Sequence, residues 1–83
     1  MEAQQVISQL NDIFRDVLDN DGISLTPQTT ADDIEEWDSL NHIQLVVAIE
    51  KKFKIRFNAA EIQNWKNVEE MVRSIVERLN AKA

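Results

Sequence analysis

The chain contains no cysteine and no tyrosine, and it has one glycine, Gly22, and one proline, Pro27, among its 83 residues. Without cysteine there is no disulfide framework, no thiolate nucleophile and no cysteine-ligated metal site, so any thiol chemistry has to come from an attached group. No apolar run approaches the roughly 18 residues of a membrane-spanning helix, and no apolar segment follows Met1 as in a secretory signal. These absences favour a cytoplasmic protein without a membrane span.

The chain is acidic, with a formal net charge of −6 at pH 7. This charge argues against nucleic acid as a partner, because the phosphates would be repelled. The charges are unevenly distributed: nine acidic residues lie between Asp12 and Asp38 with Arg15 as the single base, whereas Lys51 to Arg56 holds four bases and no acid. A docking partner would therefore meet an acidic first half and a basic segment further along the chain.

Apolar residues recur at helical spacing in three long segments. Long helices are predicted at 3–19, 39–54 and 68–80. A helix of one or two turns is predicted after Asn58, because Asn58 and Glu61 have the spacing of a capping box. No segment has a convincing strand pattern. The sequence therefore predicts an all-α fold, a small bundle of three main helices and one short helix, as a single domain over residues 1–83.

A long loop is predicted between the first two helices. Asn20-Asp21-Gly22 is expected to end the first helix, and Gly22 fits either a helix C-terminus or a tight turn. Asp38 or Ser39 is the predicted N-cap of the second helix. A connection from Ile23 to Asp38 is long for so small a domain and needs contacts that hold it. Four apolar residues are predicted to supply them: Ile23, Leu25, Ile34 and Trp37.

The second helix is predicted to have two apolar faces. Turning by about 100° per residue places one set on the core face: His42, Leu45, Val46, Ile49 and Phe53. Ile43 is also expected to line the interior of the bundle, and Trp37 and Trp65 are expected to anchor the core. The second face carries Leu40, Gln44, Val47 and Lys51. A simple bundle does not need to expose the two apolar members of this stripe.

The most specific motif is Asp38-Ser39-Leu40, at the point where a polar loop turns into a Val- and Ile-rich helix that ends near Phe53. Together with the long preceding loop and the chain length, this motif resembles the acyl carrier proteins, most strongly over residues 32–57. The resemblance implies that Ser39 carries a covalently attached 4'-phosphopantetheine, on which acyl intermediates are held as thioesters. It also implies that Asp38 helps the modifying enzyme to engage.

The chemistry of Ser39 is compatible with that implication. A hydroxyl at the start of a helix lies at the positive end of the helix dipole, which favours the negative charge of a phosphodiester. Taken alone, a serine at this place is most often only an N-cap. A Ser-His pair with His42 would need a third orienting group and an oxyanion site, and no glycine-rich elbow is present to form one. We therefore expect that the chain is not an enzyme. We expect Ser39 to be the substrate of a phosphopantetheinyl transferase.

The resemblance also implies a docking surface for partner enzymes on and around the second helix. Leu40, Val47 and Ile62 are expected to provide apolar contacts. Asn41, Gln44, Glu50 and Lys51 are expected to tune the choice of partner. The family often has acids where this chain has Asn41, Gln44 and Lys51, and Lys51-Lys52 reverses the sign. Several charges together set the rate at which partners meet and exclude wrong partners. We therefore expect this chain to work with enzymes that are dedicated to it.

The sequence thus predicts a stand-alone, monomeric acyl carrier that presents its cargo to acyl-loading and acyl-transferring enzymes. Two alternatives remain at this point: a carrier of aminoacyl or peptidyl groups, and an unmodified helical interaction module. No metal site is predicted. Asp19-Asn20-Asp21-Gly22 has the look of a calcium loop, but aligning Gly22 with the sixth loop position puts Val17 first and Gln28 twelfth, where carboxylates are required.

Overall fold

The regular secondary structure of the chain is helical throughout the part described by the computed structural model, residues 2–82. Four α-helices follow one another: α1 (Ala3–Val17), α2 (Ser39–Phe53), α3 (Ala59–Asn64) and α4 (Val68–Lys82). A short 3-10 helix, Ala31–Asp33, lies within the loop between α1 and α2. α1 packs against both α2 and α4. The predicted all-α bundle of three long helices and one short helix is confirmed.

The core is one continuous cluster formed by the apolar faces of the three long helices and by the loop before α2. Its largest fully buried side chains are Phe14, Leu10, Leu45, Ile49, Met71 and Ile75. Each such side chain contributes about 1.5–3 kcal/mol when it is removed from water. The cluster fixes the three helices against one another and so defines where α2 begins.

The end of α1 differs from the prediction. The helix ends at Val17, and Asp19 takes the left-handed conformation with φ 52°. The Asn20 N–H then donates to the carbonyl of Arg15 at 3.0 Å, which closes the helix. Gly22 lies in the following turn, where its N–H donates to Asn20 Oδ1 at 2.9 Å. Gly22 thus lies in a tight turn, one of the two predicted places for it, and the helix ends two residues before the predicted bound because Asp19 takes the left-handed position.

The loop between α1 and α2 is held by apolar contacts, as predicted. Ile23, Leu25 and Trp37 are buried and Ile34 packs against the core. Two polar contacts add to them: the Leu25 N–H donates to Asn11 Oδ1 at 2.7 Å, and Arg15 Nε donates to the Ile23 carbonyl at 2.7 Å. The loop is therefore an integral part of the bundle.

The same loop also caps α4. The Val68 N–H donates to the carbonyl of Thr29 and the Glu69 N–H to the carbonyl of Pro27, each at 2.9 Å. The first N–H groups of a helix have no partner within the helix, so these carbonyls satisfy two of them. The loop conformation and the position of α4 are therefore coupled.

Side-chain caps begin the last two helices. Asn58 Oδ1 accepts from the Glu61 N–H at 2.8 Å and Glu61 Oε1 accepts from the Asn58 N–H at 3.3 Å, which confirms the predicted capping box of α3. At α4, Asn67 Oδ1 accepts from the Glu70 N–H at 3.0 Å. Glu70 itself reaches the N–H of Lys66 at 2.7 Å. An ion pair between Arg78 and Glu61 further joins α4 to α3.

Candidate functional site

Ser39 is the first residue of α2 and is exposed. The N-cap is Asp38, whose Oδ1 accepts the N–H of Asn41 at 2.8 Å. Because Asp38 supplies the capping oxygen, the hydroxyl of Ser39 is not needed for this purpose. α2 is 15 residues long, so its N-terminus presents a partial positive charge and free N–H groups beside Ser39.

The cap assignment can be tested by substitution of Asp38. Asp38→Ala should lower the free energy of unfolding by about 0.5–2 kcal/mol, because the Asn41 N–H loses its acceptor. Asp38→Asn should remain within a few tenths of a kcal/mol of the wild type, since asparagine caps about as well as aspartate. Urea denaturation of the two variants measures the difference. Equal stability of the alanine and asparagine variants would show that the cap contributes nothing.

The first turn of α2 is fixed to the loop that precedes it. Asn41 Nδ2 donates to the Glu36 carbonyl at 2.8 Å. Asn20 Nδ2 donates to Glu36 Oε2 at 3.1 Å, so the end of α1 is joined to the same loop residue. These bonds hold the backbone on both sides of Ser39 in place.

An open groove of about 530 Å³ lies beside Ser39. It will be called the serine groove, and it is lined by Ala31, Trp37, Asp38, Ser39, His42, Ile62, Gln63, Trp65 and Lys66. Its walls come from the loop, the start of α2, and α3 with the residues that follow it. Two indoles, an imidazole and an isoleucine give it a largely apolar lining next to an exposed hydroxyl.

His42 joins these three parts of the chain. Trp37 Nε1 donates to His42 Nδ1 at 3.0 Å, and His42 Nε2 lies 3.3 Å from the carbonyl of Ile62. Since Nδ1 accepts, the ring proton belongs on Nε2, which then donates to Ile62. Neither ring nitrogen is left to accept the proton of Ser39. His42 is thus a structural bridge between the loop and α3.

An aromatic series passes through the serine groove. The His42 ring stacks on Trp37 with centroids 6.0 Å apart and meets the edge of Trp65, also at 6.0 Å. Phe14 contacts Trp37 at 5.0 Å and Phe57 contacts Trp65 at 4.9 Å, both in T-shaped geometry. Such pairs are worth about 0.5–1.5 kcal/mol each beyond the area they bury. Trp37 is buried, as predicted for a core anchor, whereas Trp65 is half-buried and forms part of the groove wall.

An apolar stripe on α2 is exposed next to Ser39. The exposed fraction is 70% for Leu40, 63% for Ile43 and 44% for Val47. The expectation that Ile43 lines the interior was wrong. Ile43 is four residues before Val47, and this spacing, which places two residues on one side of a helix, is the signal that would have found it.

The other predicted docking residues fall into two groups. Gln44 and Lys51 are exposed on α2. Asn41, Glu50 and Ile62 are half-buried and make contacts within the chain. The Asn41 amide is bonded to the loop as described, Glu50 Oε2 accepts from the Phe57 N–H at 2.9 Å, and the Ile62 carbonyl faces His42. Asn41 and Ile62 therefore help to hold the surroundings of Ser39 in place, whereas Glu50 joins the end of α2 to the segment that follows it.

Two features are absent from residues 2–82, a metal-binding cluster and a membrane-spanning helix. No three His, Asp or Glu side chains of this part of the chain come together in a way that would hold a metal ion. None of the helices over the same residues has both the length and the apolar character needed to cross a membrane.

The comparison with known protein families decides what kind of site this is. A family model described as a phosphopantetheine attachment site matches residues 8–75. The chain belongs to this family. The solution structure of the holo acyl carrier protein from Geobacter metallireducens is similar, with a TM-score of 0.86 and 42% sequence identity over 92% of this chain and 87% of that one.

Curated acyl carrier proteins are also similar in sequence. The protein from Rubrobacter xylanophilus is 27% identical over 81 residues, which cover 98% of this chain and 100% of the relative. The protein from Cyanidium caldarium is 39% identical over 46 residues, 55% of this chain and 54% of the relative. The chain is thus a carrier of acyl groups on a covalently attached 4'-phosphopantetheine arm. Carriers of this family work with a phosphopantetheinyl transferase and with acyl-handling enzymes.

The residues of the site fit such a group. A phosphodiester needs a hydroxyl that a modifying enzyme can reach, and Ser39 is exposed. Its negative charge is favoured at a helix N-terminus, and Ser39 begins a helix. The arm carries polar amide groups as well as apolar methyl and methylene groups, and the serine groove, which begins at Ser39, offers both polar and apolar side chains.

Proposed function

We propose that Ser39 is the residue that bears the 4'-phosphopantetheine arm, and that the chain presents acyl groups to partner enzymes without catalysing a reaction itself. The observation that carries this proposal is that Asp38, and not Ser39, caps the start of α2. Asp38 occupies the N-cap and bonds the Asn41 N–H, so the neighbouring hydroxyl of Ser39 is exposed at the positive end of the helix. When bound, the group supplies the thiol on which an acyl chain is held as a thioester.

The residues around Ser39 have separate roles in this proposal. The N-terminus of α2 stabilises the charge of the phosphodiester. Asp38 holds the first turn of the helix and presents a carboxylate to the modifying enzyme. Trp37, Ile62 and Trp65 offer apolar surface in the serine groove. An attached acyl chain that lies against this surface removes part of its own apolar surface from water, which is favourable.

The arrangement of His42 supports the part of the proposal in which the chain does not modify Ser39 itself. General base catalysis at Ser39 would require an unprotonated nitrogen within reach of its hydroxyl. His42 Nδ1 already accepts the Trp37 N–H, and its Nε2 carries the remaining proton toward Ile62. We therefore propose that the phosphopantetheinyl transferase supplies the base, and that coenzyme A is the donor of the arm.

Partner enzymes are proposed to bind the exposed face of α2. Leu40, Ile43 and Val47 form an apolar stripe that starts next to Ser39. A contact there would bring the catalytic centre of an acyl-loading or acyl-transferring enzyme close to the arm. The single continuous core supports a single domain over residues 1–83, which we propose acts as a monomer in the cytoplasm.

Incubation of the protein with a broad-specificity phosphopantetheinyl transferase and coenzyme A tests the proposal. The intact mass should increase by one arm, and peptide mapping should place the arm on the peptide that contains Ser39. Ser8, Ser24 and Ser74 serve as internal controls, since none of them begins a helix. No mass increase, or an arm on any of these three serines, would overturn the assignment.

A further inference from the structure

A second groove lies at the other end of α2, away from Ser39. It has a volume of about 470 Å³ and is lined by Val47, Glu50, Lys51, Lys54, Ile55 and Arg56. It will be called the distal groove. Val47 gives it exposed apolar surface, whereas Ile55 belongs to the core and is only 7% exposed. The cationic side chains of Lys51, Lys54 and Arg56 line the same groove.

The exposed charge of the distal groove is positive. Lys51, Lys54 and Arg56 are all exposed. The one acid in the lining, Glu50, is half-buried, and its Oε2 accepts the N–H of Phe57 at 2.9 Å. One oxygen of this carboxylate is thus bonded to the chain's own backbone, and the lining carries three cations against one anion. A cationic groove on a protein with a net charge of −6 forms a local field opposite to that of the rest of the molecule.

The distal groove continues the apolar stripe of α2. Val47 belongs to both, because it is an exposed member of the stripe and a lining residue of the groove. Lys51 lies twelve residues after Ser39 along the same helix, which corresponds to about 18 Å at 1.5 Å per residue. The exposed face of α2 is therefore apolar next to Ser39 and cationic at its far end.

We propose that the distal groove is a docking site for an acidic segment of a partner enzyme, in which carboxylates flank an apolar side chain. The carboxylates would pair with Lys51 and Arg56, and the apolar side chain would contact the exposed Val47. The inference rests on the proposed function, since docking at this end aligns a partner with the arm on Ser39. Opposite charges of this kind raise association rates and exclude partners whose docking surfaces are basic.

A protein occupant explains these features better than a nucleic acid does. Backbone recognition of nucleic acid needs a cationic track and stacking platforms that follow the strand. Here the cations cluster at one groove, and the surface leading away from it is aliphatic: Leu40, Ile43 and Val47. Aliphatic surface next to a small charged cluster is typical of a protein–protein contact.

Titration of the ¹⁵N-labelled full chain with a synthetic peptide tests the inference. The probe is an acetylated hexapeptide with the sequence Glu-Glu-Leu-Glu-Glu-Leu, and its control has glutamine in place of every glutamate. Amide shifts from the acidic peptide are expected to concentrate on Val47, Lys51, Ile55 and Arg56 and to weaken at high salt. The glutamine peptide should bind about fivefold or more weakly, as expected for the loss of a few exposed ion pairs.

Paired charge reversals locate the effect. Lys51→Glu with Arg56→Glu should weaken binding of the acidic peptide about fivefold or more. The control, Lys52→Glu with Arg73→Glu, changes the net charge equally but leaves the groove lining intact, and it should bind as the wild type does. Equal loss in both double variants would show a general charge effect and overturn the inference. So would equal affinity for the glutamine peptide, or the same shifts with inorganic phosphate at matched concentration and ionic strength.

The inference and the proposed function can fail separately. Ser39→Ala should bind the acidic peptide like the wild type, because Ser39 does not line the distal groove. The Lys51→Glu/Arg56→Glu variant should still gain one arm on Ser39 at the end of the transferase reaction, as measured by intact mass. Arm attachment without peptide binding contradicts the docking site alone. Peptide binding without an arm on Ser39 contradicts the proposed function alone.

Discussion

Ser39→Ala should abolish attachment of the arm while leaving the bundle folded. The side chain is exposed, and the cap of α2 is made by Asp38. Removal of the hydroxyl therefore takes away the acceptor of the modification and no structural hydrogen bond of the cap. The free energy of unfolding should change by no more than about 0.5 kcal/mol, the range of ordinary surface substitutions. Intact mass after the transferase reaction and urea denaturation measure the two effects.

Ser24→Ala is the matched control for this prediction. Ser24 is also an exposed serine, but it lies in the loop between α1 and α2, so its substitution should leave attachment complete. An arm on the Ser39→Ala variant would show that another residue is the acceptor. A loss of stability as large as that expected for Asp38→Ala would show that Ser39 shares the capping role.

Much of the fold was predictable because its signals are local. The apolar residues of α1, α2 and α4 recur within a few positions of one another, and the capping pair Asn58 and Glu61 is separated by three residues. The Asp38-Ser39-Leu40 motif is equally short, so the start of α2 and the candidate attachment residue were found together. Each of these features depends only on residues that are close together in the sequence, so each can be predicted from a short segment of it.

The features that were missed depend on competition between residues or on distant parts of the chain. Both Asp19 and Gly22 suit the turn after α1, and only the closing hydrogen bonds show that Asp19 takes the left-handed position. The loop carbonyls that cap α4 are about 40 positions away from it in sequence, at Pro27 and Thr29. No local pattern indicates such a pairing. The same is true of the bond between His42 and the carbonyl of Ile62, which are 20 residues apart.

His42 shows why this distinction matters for function. Its position on the core face of α2 was predicted, but its role depends on two partners that come from the loop and from α3. α3 has only six residues, and isolated helices of this length are unstable in water. Contacts such as the His42 bridge and the Arg78–Glu61 ion pair must therefore hold it. The shape of the serine groove depends on that attachment.

His42→Phe should lower the free energy of unfolding by about 1–3 kcal/mol for each buried group that is left without a partner. Phenylalanine keeps an aromatic ring between Trp37 and Trp65 but offers no acceptor to Trp37 Nε1 and no donor to the Ile62 carbonyl. Trp37 is only 7% exposed, so water does not readily replace the lost acceptor. Each kcal/mol should lower the melting midpoint of a domain of this size by about 4–8 °C. Urea and thermal denaturation measure the loss.

Hydrogen exchange of the two indoles identifies the cause of this destabilisation. In His42→Phe the Trp37 indole N–H should exchange faster, whereas the Trp65 indole keeps its acceptor, Ser74 Oγ at 2.9 Å, and serves as the internal reference. Gln44→Ala, an exposed substitution on the same helix, should change stability by no more than about 0.5 kcal/mol. Unchanged stability together with unchanged Trp37 exchange would contradict the bridge. The ¹⁵N shifts of the His42 ring in the wild type test the same geometry without a substitution, because they must show Nδ1 as the unprotonated nitrogen and Nε2 as the protonated one.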